Sequence, residues 1–241
     1  MEVKPLGESP EVIHLFESME QNRLYVEKSQ MEEIVAHMDE LLTSIKQIEK
    51  ELADMRSLTG NVFTSIVDEG STAVAEAKSV VQRAKYKIRD LSGRAAALGG
   101  NALVSALHAA HIPNLLEKVQ SVLHDTEVRM RKSAHKAEAI SEELHAANVH
   151  IANIERIMGG KDIPQNPPAE RKGPLTVMRA GFLGLASTFE RLSAATAKLR
   201  EKIPDLDKTS AKDRESVRGR IQDLKQQSAP GKARQTEEVE I

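Results

Sequence analysis

The sequence predicts an all-α protein, an elongated antiparallel three-helix bundle or coiled coil plus a tethered fourth helix. Two observations carry this. The 241 residues are 40% hydrophobic and 29% charged but only 2% aromatic, with no Cys and no Trp, so the apolar content is Ala, Leu, Ile, Val and Met, the currency of long helices. Those apolar residues also recur in steps of three and four over long stretches.

The first helix is expected over ~10–68. Ser9 stands at the N-cap position, Pro10 where a helix tolerates proline and Glu11 at the positive end of the dipole. From Met31 the series Ile34, Met38, Leu41, Ile45, Ile48, Leu52 and Met55 keeps a mean period of 3.5, the seam of a coiled coil or long bundle helix. Before Met31 the stripe is different (Ile13, Phe16, Met19, Leu24), so residues 10–28 are read as a separate or kinked segment. Gly70 and Ser71 are expected to stop this arm and cap the next. The second helix, ~71–98, has a seam of Val74, Ala77, Val81, Ala84, Ile88, Leu91, Ala95 and Leu98, broken by Gly99 and Gly100. A short helix ~101–112, with Asn101 as its cap, is expected to end at Pro113.

Asn114, with Glu117 three residues on, is read as the start of the third long helix, ~114–158. Its seam is the longest: Leu116, Val119, Leu123, Thr126, Met130, Ser133, Ala137, Ile140, Leu144, Ala147, Ile151, Ile154 and Met158, ending at Gly159-Gly160. Residues 159–174 hold four Pro and three Gly and read as a linker. An amphipathic helix follows over 175–203, with the seam Met178, Phe182, Leu185, Phe189, Leu192, Thr196, Leu199 and Ile203. Residues 1–8 are expected to be a flexible N-terminus and 204–241 a mostly disordered polar tail.

The net charge of −2 hides a gradient: residues 1–70 carry 6 basic against 15 acidic groups, residues 71–160 carry 12 against 9, and residues 161–204 carry 8 against 4. An acidic first arm is therefore expected beside basic later ones. The six basic residues Lys78, Arg83, Lys85, Lys87, Arg89 and Arg94 fit phosphate contacts, and Arg129, Arg131, Lys132 and Lys136 form a second cluster. Pairing with the first arm is the favoured explanation, since Tyr86 is the one aromatic among them.

No catalytic, cofactor-binding or metal-binding residues are assigned. Zero cysteine excludes thiolate sites and disulfides. Glu142 with His145 has the Glu-x-x-His spacing of di-iron bundles, but it flanks the seam residue Leu144. His108 and His111, at i,i+3, lack an evident third ligand. No phosphate loop or nucleophile elbow is present, and enzymatic activity is not expected. With no secretory leader or spanning stretch evident, a cytoplasmic location is expected.

The stretches VIHLFESMEQNRLYVEKSQMEEIVAHMDELLTSIKQIEKEL (12–52) and YKIRDLSGRAAALGG (86–100) resemble an uncharacterised bacterial all-helical family associated with mobile genetic elements of Gram-positive anaerobes. The resemblance covers roughly residues 1–160. It implies a bacterial cytoplasmic protein with an accessory role on such an element, and carries no site residues.

The expected function is a non-catalytic interaction or scaffold protein. It would bind a protein partner, or itself, through coiled-coil seams and helix 175–203, with Met178, Phe182, Leu185 and Phe189 as contact residues. Two other readings are a nucleic-acid-associated protein using the basic face 78–94, and peripheral membrane association through the apolar window 175–189, over which docking of that helix on its own bundle is favoured.

Overall fold

A computed structural model describes residues 4–59, 63–98, 100–164 and 173–203. The tail expected over 204–241 lies outside them. Every regular element among the described residues is helical: a 3-10 turn at Leu6–Glu8, then α1 (Pro10–Gln21), α2 (Tyr25–Thr59), α3 (Thr64–Ala96), α4 (Gly100–Ala109), α5 (Ile112–Met158) and α6 (Pro174–Lys202).

The helices α2, α3, α5 and α6 close a four-helix ring in which each packs on the next and α6 returns to α2. Ion pairs along each seam show that every neighbour runs antiparallel. Arg56–Asp68 and Lys78–Glu49 tie α2 to α3, and Arg129–Glu76 and Lys136–Glu69 tie α3 to α5. Arg131–Glu190 and Arg179–Glu138 tie α5 to α6, and Lys202–Glu33 joins α6 to α2. This is the up-down-up-down order that heptad seams favour. Helix α6, expected as a tethered fourth helix, is docked, and its seam completes the core.

The seam of α2 is buried at every position from Met31 to Met55. Helix α3 contributes smaller side chains (Ala73, Ala77, Ala84, Ala95), which let neighbours approach closely. Helix α1 lies mainly against α3 and buries Val12, Leu15 and Met19. Ile13 is exposed, so the stripe at this end runs through Val12 and Leu15 in place of Ile13 and Phe16, with the expected Met19 in the core.

The corner between α1 and α2 explains why the register changes there. Leu24 N–H donates to Met19 O at 2.9 Å and Arg23 N–H to Glu20 O at 3.0 Å, with Arg23 left-handed at φ 60°. This is a Schellman stop, and Lys28 bridges the corner to Glu20 at 3.0 Å. The same motif ends α5: Lys161 N–H reaches Arg156 O at 2.9 Å and Gly160 N–H reaches Ile157 O at 3.0 Å, with Gly160 at φ 67°.

Three expected stops and starts differ. Gly70 and Ser71 lie inside α3, which begins at Thr64. Gly70 serves packing: a Cβ there would sit 2.8 Å from Phe182 Cε1, so the missing side chain is the slot that receives the ring. Pro113 belongs to the first turn of α5, where its absent N–H costs nothing. The residue before that helix is His111, left-handed at φ 48°, and Asn114 is already helical. Ser9 stands at the N-cap of α1 without a side-chain capping bond.

Candidate functional site

The four residues expected to contact a partner, Met178, Phe182, Leu185 and Phe189, are all buried. Their stripe faces the ring interior, and Phe182 fills the space over Gly70. They are core of the bundle in this structure and do not form a surface stripe. The same burial turns the apolar side of the window 175–189 into the core, with Val177 left exposed, and no described helix is long and apolar enough to cross a membrane.

The basic residues of α3 divide into two groups. Lys78 and Lys85 turn toward the acidic α2: Lys78 Nζ donates to Glu49 Oε2 at 2.7 Å, and Lys85 Nζ to Asp39 Oδ1 at 3.2 Å and to Lys4 O at 2.6 Å. Lys85 is 8% exposed, a buried ammonium enclosed by a carboxylate and a carbonyl. Asp39 in turn accepts the Leu6 N–H at 2.6 Å and the Gly7 N–H at 3.2 Å, pinning the N-terminal turn to the bundle. Arg83, Lys87, Arg89 and Arg94 remain on the outer face. There Arg94 pairs with Asp90, and Arg89 lies over the Tyr86 ring at 5.1 Å.

In the second cluster Arg129, Arg131 and Lys136 are also paired. Arg131 donates to Glu127 at 2.7 Å and Glu190 at 2.8 Å, and the Glu127 carboxyl is held below the usual carboxylate range chiefly by that Arg131 bond. Among the described residues no group of three or more His, Asp or Glu side chains converges as a metal site. His145 lies on the outer part of α5, and the His108 side chain is outside the described set.

One buried titratable group sits between α2 and α6. Thr196 donates its hydroxyl to Leu192 O at 2.8 Å, so its oxygen is free to accept from His37 Nε2 at 2.8 Å. Burial pushes the His37 pKa below the ordinary histidine value, against an opposing pull from Glu40. The neutral ring is thus favoured in the folded state. The stability it contributes is complete above the unfolded-state pKa of about 6.5 and is lost as pH falls from there through the lower folded pKa. Urea titrations between pH 7.5 and pH 5 should show a steeper acid loss for the native chain than for His37→Gln; equal slopes would remove His37 as a contributor.

The feature that sequence reasoning did not single out is the outer end of α5. Within one helix, Leu116, Val119, Leu123, Met130 and Ala137 are buried, yet the continuation of that seam is exposed: Leu144 47%, Ile151 55%, Ile154 56% and Met158 84%. No side chain from Glu138 to Met158 is buried. The cause is length. Helix α5 has 47 residues and its neighbour α6 has 29, and the antiparallel match of Glu138 with Arg179 brings Pro174 level with about residue 143. Fifteen residues, about 22 Å, extend past that level. Beside it, Met55, Leu58, Pro174, Val177 and Met178 line a shallow apolar notch of about 210 Å³ at the same end of the bundle. The signal was available in the unequal lengths of the seams.

No curated protein and no solved structure matches the chain. A family model matches residues 8–240, nearly the whole length, and by that match the chain belongs to the Family of unknown function (DUF6674).

Proposed function

We propose that the protein is a non-catalytic helical interaction protein that presents the outer end of α5 to a protein partner. The observation that carries this reading is the heptad seam of α5, buried as far as Ala137 and exposed over Leu144, Ile151, Ile154 and Met158. Contiguous apolar surface of this kind on a water-soluble chain marks an interaction site, and a heptad stripe is the form that another helix recognises. The docking element of this proposal is therefore α5, in place of the stripe on residues 175–203.

An accessory role on a bacterial mobile element, in the cytoplasm, is the biological setting that the sequence resemblance supports. The nucleic-acid alternative would rest on Arg83, Lys87, Arg89 and Arg94, because Lys78 and Lys85 are engaged with α2.

A photo-crosslinking residue at Ile151 in the native cells tests the interaction reading. The expected result is a discrete protein adduct at Ile151, absent when the residue is moved to the exposed Lys132, and lost on adding Leu144→Ser and Ile154→Ser. No discrete protein adduct at Ile151 would overturn the reading.

A further inference from the structure

We infer that the partner of the outer end of α5 is a second copy of the chain, bound antiparallel so that two bundles meet end to end. The inference rests on the interaction reading above and adds the identity and orientation of the partner.

Ile140, Leu144, Ala147, Ile151, Ile154 and Met158 step by four and three. A two-fold interface must be self-complementary, with each residue facing its reciprocal. Two such helices run antiparallel give matched layers: Ile140 of one copy against Met158 of the other, Leu144 against Ile154, and Ala147 against Ile151. The small Ala147 always faces a large residue, so no layer is overfilled or empty.

The exposed stripe is the continuation of the stripe that faces the core below Ala137. A parallel partner following it would run into the bundle's own α3 and α6. An antiparallel partner ends at Met158, where the Gly159-Gly160 stop turns its chain aside, level with Ile140 of the first copy.

Met55 packs against Gly181, and Arg179 pairs with Glu138, which brings the ends of α2 and α6 level with residues 138–143 of α5. The apolar notch lined by Met55, Leu58, Pro174 and Val177 therefore lies at the height where the tip of the other copy, Ile157 and Met158, arrives. Leu58 and Val177 are themselves exposed. Tip and notch stand at the two ends of one 18-residue stretch, about 27 Å apart, so a two-fold rotation seats both tips at once.

Two helices paired over about five turns bury an area at the lower end of specific interfaces, so assembly should depend on concentration. Light scattering on the full chain should give twice the 26.5 kDa monomer mass, falling to the monomer mass on dilution. Ile151→Asp with Ile154→Asp should give the monomer at every concentration with helical content retained. A native chain that stays monomeric up to about 100 µM overturns the inference; if the Ile151 adduct in cells is then a different protein, the interaction reading survives alone.

Orientation is tested independently of those variants because the chain has no cysteine of its own. Ala147→Cys and Ile151→Cys, prepared separately and then mixed under mild oxidation, should form a disulfide-linked heterodimer, and each alone should form little. Homodimeric disulfides from Ile151→Cys alone would mean parallel pairing and would overturn the antiparallel assignment.

Discussion

Phe182→Ala is expected to cost about 3–5 kcal/mol of unfolding free energy, the range for removing a fully buried aromatic ring. Phe182 is fully buried, and it is the residue that links three helices: it belongs to α6, it rests over Gly70 of α3, and the vacant Cβ position there also has Leu52 of α2 at 3.5 Å. Removing the ring leaves a void that three separate backbones would have to close. The pairing with Gly70 gives the prediction a sign that a generic core residue lacks. In the native chain Gly70→Ala forces a Cβ to 2.8 Å from Phe182 Cε1, and this crowding opposes the gain of about 1 kcal/mol from replacing a helical glycine. In the Phe182→Ala background the crowding is gone, and Gly70→Ala should be stabilising. A double-mutant cycle by urea denaturation reads the coupling. Additive effects would mean that the ring and the glycine are not one packing unit.

The second large effect is expected at Asp39. Its carboxylate takes the Leu6 and Gly7 amides and the Lys85 ammonium together. Asp39→Ala leaves Lys85 buried with one carbonyl partner and releases two backbone donors. Breaking a buried pair in this way costs about 3–5 kcal/mol, and the partial exposure of Asp39 places the expectation near the lower figure. Adding Lys85→Met should restore much of the loss, because the uncompensated charge is then removed. Amide exchange at Leu6 and Gly7 should rise with the Asp39 change and stay high in the double variant, separating the anchoring of the N-terminal turn from the burial of charge. If the double variant is as unstable as the single, the pair's charge is not what determines the cost.

These two sites mark the boundary of what the sequence discloses. The seams were legible because burial on a long helix is dictated by a local period: each α2 position from Met31 to Met55 that the period selected is in the core. Gly70 was misread as a stop because a missing Cβ serves two purposes, freeing the backbone to leave a helix or admitting a ring from elsewhere, and only the distant Phe182 decides between them. Pro113 is ambiguous for a similar reason, since the same fixed φ suits the residue after one helix and the first turn of the next. Lys85 looked like one member of a charge run, and its burial depends on Asp39, 46 residues away. The outer end of α5 was hidden by its own regularity. A heptad stripe reads the same whether or not a neighbour covers it, and the difference emerges only once the lengths of α5 and α6 are laid side by side.

From Leu115 to Met158 α5 contains neither glycine nor proline, and one uninterrupted helix carries both the buried half of the seam and the exposed half. The exposed half consequently has no hinge, and its bearing around the helix axis is inherited from the packed half as a rotational phase. One inserted residue anywhere between Ala137 and Leu144 would turn the outer stripe by about 100° while leaving every side chain in it unchanged. Whatever binds there reads an angle set inside the core as much as it reads a surface.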